Sequence, residues 1–256
     1  MTTGVSIRGL TTDLKTGLAF CTSLPLAHST PVSGAEVARA SWTFPIVGAV
    51  VGIIGGLIYW LADSVGLHPF VSGVLALAAT VLVTGCLRED GLADTVDGFG
   101  GGATPDQKLE IMRDSSIGAY GATALALSLM LRAGAIASLA DPALVAPALI
   151  AAQAGARATM PVFMRLVKGA RHDGLSADAG RPPLMSAVLA GLLGVIALAL
   201  CLGLIGALDA LLLVAAATGL MAWLCRSQIG GQTGDVLGAL EQVSEIAILL
   251  VAAVWL

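Results

Sequence analysis

At 256 residues the chain could hold one or two soluble domains, but 57% of it is hydrophobic and only 12% is charged, with a mean hydropathy of +0.91. No soluble core needs that much apolar sequence, so the composition excludes a soluble globular protein and points to a multi-pass membrane protein. The net charge of −4 decides little because the charges collect in a few loops, and the lack of a basic patch with interleaved aromatics argues against a nucleic-acid partner.

Residues 1–40 are mixed in character and contain no long apolar run in their first half, so no cleavable signal peptide is expected. Residues 13–26, with Lys15 near the start and Pro25 near the end, are too short to span and are expected to lie at the interface or to re-enter as a half-helix. Glu36 and Arg39 lead into a first span at 41–62, with Trp42 at one boundary and Tyr59-Trp60 at the other, as in an aromatic belt. Gly48, Gly52 and Gly56 stand four apart on it, which permits close packing.

A second span at 69–87 flows into an acid-bearing stretch, so the Asp90 face reads as the membrane-proximal continuation of a spanning helix. Further spans follow at 119–139, carrying Arg132, and at 143–164, carrying Arg157. The fifth and sixth, at 184–206 and 210–224, are separated by a turn at Asp209, and the last, at 236–256, carries Glu241 and Glu245. The expected fold is an all-α, polytopic membrane bundle of about seven spanning helices plus an N-terminal interfacial or re-entrant helix, with residues 1–256 forming one membrane-embedded domain. Cys21, Cys86, Cys201 and Cys225 are scattered and form no CxxC pair, and His28, His68 and His172 are isolated, so neither zinc nor a disulfide framework is indicated.

Lysine and arginine outside the spans set the orientation. Arg8, Lys15 and Arg39 precede span one; Arg88, Lys108 and Arg113 follow span two; Arg165, Lys168, Arg171 and Arg181 follow span four; Arg226 follows span six. The loops after spans one, three and five have none. Seven spans therefore place the N-terminus and every basic loop on the cytoplasmic side.

That face also receives the Asp-rich stretch 88–118, part of a segment that holds nearly half of the chain's 17 carboxylates. Asp90, Asp94 and Asp97 follow i, i+4, i+7 spacing, which puts three mutually repelling carboxylates within about 60° on one helix face. A hard divalent cation would neutralise them, and Mg²⁺ takes carboxylates while leaving room for phosphate oxygens. Gly98 and the run Gly100-Gly101-Gly102 read as a flexible loop able to approach a phosphate. Thr104-Pro105-Asp106-Gln107 reads as a capping box opening a helix on which Asp106, Glu110, Arg113 and Asp114 share a side. A second glycine loop lies within 226–240, where Asp235 occupies an expected N-cap behind Gly230, Gly231, Thr233 and Gly234. It is either an ordinary cap or a phosphate or metal site. Glu241 and Glu245 sit among apolar residues and are expected to face the bundle interior. Arg157 either pairs with them or reaches a pyrophosphate, whereas pairing is the favoured reading for Arg132. Carboxylates for metal, with cations and backbone N–H groups for phosphate, suit phosphoryl-type transfer.

These residues also resemble a known family. Glu89-Asp90-Gly91-Leu92-Ala93-Asp94-Thr95-Val96-Asp97-Gly98, then Leu109-Glu110-Ile111-Met112-Arg113-Asp114-Ser115 and Gly118, are similar to the signature of the cobalamin synthases, the adenosylcobinamide-GDP ribazoletransferases. Gly230-Gly231-Gln232-Thr233-Gly234-Asp235-Val236-Leu237-Gly238-Ala239, with Glu241 and Glu245, resembles their second signature, and Phe44-Pro45-Ile46-Val47-Gly48 also matches. Two positions depart: Ser23 stands where the pattern Phe-x-Thr-Arg-x-Pro has arginine, and Arg88 where a histidine is common.

The resemblance implies a multi-pass enzyme of the cell inner membrane whose substrates are adenosylcobinamide-GDP and α-ribazole or its 5′-phosphate. A ribazole hydroxyl would attack the cobinamide-linked phosphorus and GMP would leave. It implies Mg²⁺ on Asp90, Asp94 and Asp97 with Asp114 and Asp235, catalytic roles among Asp94, Asp97 and Asp114, and substrate contacts at Arg113, Arg157, Gly231, Thr233 and Gly234. Which carboxylate takes the hydroxyl proton is left open.

Other readings stand beside this one. The Asp90-Gly91 opening is shared with CDP-alcohol phosphotransferases, but their Ala-Arg after the first Asp-Gly is missing. Buried Glu245, Arg132 and Arg157 would suit a secondary transporter, which should show two related halves. A structural membrane subunit gives no reason for aspartates in register. Glycine-lined spans permit a homo-oligomer without demanding one.

Overall fold

The computed structural model describes residues 7–24, 32–171 and 173–256. Pro25, His28 and His172, and the side chain of Arg8, lie outside the described residues. Among the residues described the chain is almost wholly helical and no strand forms.

Helices α1 (Ile7–Cys21) and α2 (Gly34–Ala40) lead through a 3-10 turn at Ser41–Thr43 into α3 (Phe44–Ser64). α1 is too short to cross a bilayer. Asp13 ties it down by accepting from Arg39 Nε and Trp42 Nε1, both at 3.0 Å. Trp42 is therefore an internal anchor as well as a boundary residue, and Tyr59, expected in the aromatic belt, is fully buried, while Trp60 is exposed.

Among the described residues, five helices are long and apolar enough to span: α3 with its lead-in, α7 (Ala119–Leu139), α8 (Pro142–Leu166), α10 (Leu184–Ile229) and α11 (Gly234–Trp255). Straight, the 46 residues of α10 would reach about 69 Å, more than twice a bilayer core. Its two ends instead meet at one place: Arg165 Nη1 donates to Pro182 O and Arg226 Nη2 donates to Leu166 O, each at 2.7 Å. α10 is thus a hairpin of two passes, reversing at Gly203 (φ 71°, ψ 175°), a conformation reserved for glycine. The reversal was expected at Asp209, but that carboxylate accepts from Trp255 Nε1 at 2.8 Å instead. With α4 (Pro69–Thr84) counted as one crossing and α10 as two, the described residues are compatible with the seven passes expected.

α8 is the central helix, buried along most of its length. Gly48, Gly52 and Gly56 let α3 press against it; a Cβ on Gly52 would come 2.6 Å from Ile150 Cα. Two apolar clusters fill the bundle, one around Tyr59, Ile136, Leu149 and Ile248, the other around Phe44, Met160, Phe163 and Leu240.

The Asp-bearing helix does not continue α4. α5 (Leu87–Gly101) turns 88° from it and crosses the start of α11. Gly85 (φ 68°) and Cys86 (φ 58°) are both left-handed, which breaks the helix where hydropathy shows only a continuing apolar run. α6 (Pro105–Ile111) opens with the expected capping box, Thr104 Oγ1 accepting from Gln107 N and Gln107 Oε1 from Thr104 N, each at 3.3 Å. It ends at Ile111, so Arg113 and Asp114 lie in the following turn and not on its face. The glycine run also departs from expectation: Gly98, Gly100 and Gly101 are helical. They let neighbours close in, with Met112 on Gly98 and Tyr120 on Gly100, so their use is packing. The short α9 (Leu175–Ala179) lies against α2.

Candidate functional site

α5 crosses the start of α11 at a glycine pair. A Cβ on Gly91 would stand 2.8 Å from Asp235 O, and the Gly91 site faces Gly238 Cα at 3.3 Å. This close approach brings the acids of α5 beside Asp235. The start of α5 is fixed at the elbow before it, where Ser23 Oγ donates to Leu82 O (3.0 Å) and Val83 O (3.1 Å) at the close of α4. Ser23, one of the two departures from the family pattern, thus fastens the N-terminal segment to the bend.

Asp90, Asp94 and Asp97 keep their helical register but divide their work. Asp97 is buried and caps α7: Oδ2 accepts from Gly118 N and Oδ1 from Gly121 N, each at 2.8 Å. A Cβ at either glycine would overlap that carboxylate, which explains both glycines. Asp94 is half-buried. Burial, with the charges of Asp90, Asp235 and Asp97, pushes its carboxyl up to about 7, while Arg171 opposes the rise.

Arg171 is the cation of this cluster. Its Nη1 stands 3.3 Å from Asp235 Oδ2, and Nη2 donates to Leu109 O at 2.8 Å. Thr233, not Asp235, is the N-cap of α11: its hydroxyl accepts from Val236 N at 3.3 Å and lies 3.2 Å from Asp235 Oδ2. Asp235 takes the second helical position because Gly234 already begins the helix. The 167–171 strand of loop pairs with this segment through Gln232 N to Lys168 O (2.9 Å) and Ala170 N to Gln232 O (2.8 Å). Gly231 is packed against Lys168 and Gly169, so it supports that pairing.

A cavity of about 300 Å³ opens between these elements. Asp90, Asp235, Arg171, Thr233 and Gly234 line one side, and Phe20, Phe44, Met160 and Met164 the other. Beneath it lies a buried ionic layer of three arginines and three glutamates. Arg88 pairs with Glu241, which also meets Arg157 Nη2 at 3.1 Å. Arg132 pairs with Glu89 at 3.1 Å and with Glu245 at 3.4 Å. Gln242 Nε2 donates to Glu89 Oε1 at 3.1 Å, and Ser128 Oγ donates to Gln242 Oε1 at 3.0 Å. The layer sits between the two apolar clusters and holds α5, α7, α8 and α11 in one register.

The sequence candidates are thereby sorted by place. Asp90, Asp94, Asp235, Thr233 and Gly234 come together at or beside the cavity. Arg157 lies below it, engaged by Glu241 and by both Gln153 oxygens. Arg113 forms an exposed pair with Asp173 at 2.7 Å. Asp114 is fully exposed on a separate groove with Glu110, its carboxyl held below the ordinary range by the Ser116 N–H. Among the described residues no three His, Cys, Asp or Glu side chains are placed closely enough to share an ion as they stand. Arg171 and Arg88 were missed as site residues: one reads as an ordinary loop cation, and the partner of the other, Glu241, is 153 positions away.

The cobalamin-5-phosphate synthase family matches residues 13–253. The chain is 52% identical to the adenosylcobinamide-GDP ribazoletransferase of Bradyrhizobium diazoefficiens, covering 97% of this chain and 95% of that one. It is 49% identical to the protein of the same name from Mesorhizobium japonicum, over 98% and 96%. The corresponding protein of Azorhizobium caulinodans is 41% identical, over 93% and 94%. No solved structure matches.

Proposed function

The chain belongs to the cobalamin-5-phosphate synthase family, and on that premise we propose that it is an adenosylcobinamide-GDP ribazoletransferase working at one face of the membrane. A hydroxyl of α-ribazole, or of its 5′-phosphate, attacks the cobinamide-linked phosphorus of adenosylcobinamide-GDP. The new P–O bond forms as the bond to GMP breaks, GMP leaves with the electron pair, and the hydroxyl proton passes to a carboxylate of the site. The observation that carries this reading is the cavity of about 300 Å³ at which Asp90, Asp235 and Arg171 converge, with Asp94 beside it.

The donors there are hard oxygens on crowded acids, a set that suits Mg²⁺. Asp90, Asp94 and Asp235 are the residues we assign to hold it. Bound there, Mg²⁺ would supply charge neutralisation for the diphosphate and its leaving group. Asp97 keeps α5 against α7, Arg171 balances the acids and offers a cation to phosphate, and Thr233 orients Asp235. Arg88, Arg132 and Arg157 fix the floor.

The end of the bundle bearing the site also carries the basic loops, whereas the other end, with Asp63, Asp141 and Asp209, has none; this supports a cytoplasmic site in the cell inner membrane. A transporter would build its charged site between two related halves, and the sequence shows no such repeat. Purified protein in detergent is expected to release GMP from adenosylcobinamide-GDP only when α-ribazole and Mg²⁺ are both added. Release without α-ribazole, or none with both, overturns the proposal.

A further inference from the structure

The cavity beside Asp90 has two unlike ends. At one end stand Asp90, Asp235 and Arg171. At the other the walls are mostly apolar, with Phe20, Phe44, Met160 and Met164 beside Ser41 and Arg88. Phe20 and Phe44 are stacked, with centroids 5.2 Å apart and planes 12° apart, and the Arg88 guanidinium lies 5.8 Å from the Phe20 centroid. Flat aromatic walls flanked by a sulfur-bearing pair suit a flat, apolar ring.

Taking the transfer reaction proposed above as given, three groups compete for this space. The corrin macrocycle carries polar amide side chains around its rim, a poor match to a lining that is mostly phenylalanine, methionine, valine, alanine and leucine. Guanine carries donors and acceptors along its edges, and Arg88 and Ser41 are too few to meet them, so most are left unpaired against phenylalanine and methionine, which is costly. The dimethylbenzimidazole of α-ribazole is flat, aromatic and bears two methyl groups. Seated at the apolar end, it directs its ribose to the acids. We infer that this cavity is the acceptor site: the dimethylbenzimidazole of α-ribazole lies among Phe20, Phe44, Met160 and Met164, and its ribose is held at the Asp90–Asp235 end. Arg171 and Asp173 line both this cavity and an open groove of about 540 Å³ that also includes Arg113. The donor is left that groove, with Arg171 standing between the two substrates.

The wild-type enzyme gives the first test, with no variant needed. An α-riboside of unsubstituted benzimidazole is expected to raise the acceptor KM about tenfold, since two buried methyl groups are lost, with kcat little changed. Equal use of the two acceptors overturns the inference. Ala38→Phe, which fills the cavity from α2, is expected to raise the KM for α-ribazole and leave the KM for adenosylcobinamide-GDP unchanged; the donor value doubles as a check on folding. Phe20→Leu, a milder change on a half-buried residue, should act in the same direction. Calorimetric titration of α-ribazole alone should show the same weakening in both variants. A rise in donor KM with acceptor KM unmoved assigns the cavity to the donor and overturns the inference. Absence of GMP release by the wild type with either acceptor is a different result, and it counts against the reaction itself.

Discussion

Asp97 accepts the backbone N–H of Gly121 at 2.8 Å, so the third aspartate of the α5 register is engaged in seating a transmembrane helix. Asp94, one turn before it, has no such partner and is crowded by like charges. Substitutions at the two positions should therefore part company. Asp97→Asn turns an amide N–H₂ toward one of the two donors and should cost about 1–3 kcal/mol of stability. Asp94→Asn removes a repelled charge and should leave stability equal or higher, while kcat falls at least about a hundredfold. Thermal unfolding in detergent, run beside GMP release, separates them.

The Asp94 carboxyl, pushed up to about 7 from 3.8, binds its proton more tightly folded than unfolded. Between those values the folded protein holds more protons, so this group's contribution to stability falls as pH rises through the window. A cation must displace the proton, so affinity for Mg²⁺ should rise with pH, by up to about tenfold per unit below 7, and level off above it. Mg²⁺-induced shifts in unfolding temperature between pH 5.5 and 8.5, as a proposed range, measure this, and Asp94→Asn should flatten the curve.

Glu241 is buried and meets two arginines, Arg88 and Arg157. Glu241→Ala leaves both uncompensated and should cost about 3–5 kcal/mol, enough to abolish recovery of folded enzyme. Glu245→Gln should be milder, because Arg132 retains Glu89. Yield of monodisperse protein after size-exclusion chromatography reads the difference.

Gly203 holds φ 71° and ψ 175° at the reversal of α10. No atom stands within 4 Å of a Cβ there, so Gly203→Ala tests backbone strain without a clash. The expected cost is about 1–3 kcal/mol, seen as a lower unfolding temperature with KM values unchanged.

Hydropathy and the positions of Lys and Arg made the spans legible, and the α5 register and the Thr104–Gln107 box followed from local spacing. Long-range facts were not legible. The elbow at Gly85–Cys86 hides in an apolar run, because a left-handed pair leaves hydropathy unchanged. Gly98 and Gly100 look like a loop because the Met112 and Tyr120 that crowd them come later in the chain. Arg171 gains its place only when the 167–171 segment pairs with Gln232. Asp114 shares a sequence motif with the site but not its location, since α6 ends before it.

The three arginines and three glutamates under the cavity leave the ribosome in a fixed order. Arg132 finds Glu89 already made, but Arg88 precedes Glu241 by more than half of the chain and Arg157 by about a third. Until α11 arrives, two cations wait in lipid or at its surface without a counter-ion, a state that a bilayer penalises. Insertion of α11 therefore closes an electrically unfinished bundle, and truncation before α11 should yield a chain that membrane quality control removes.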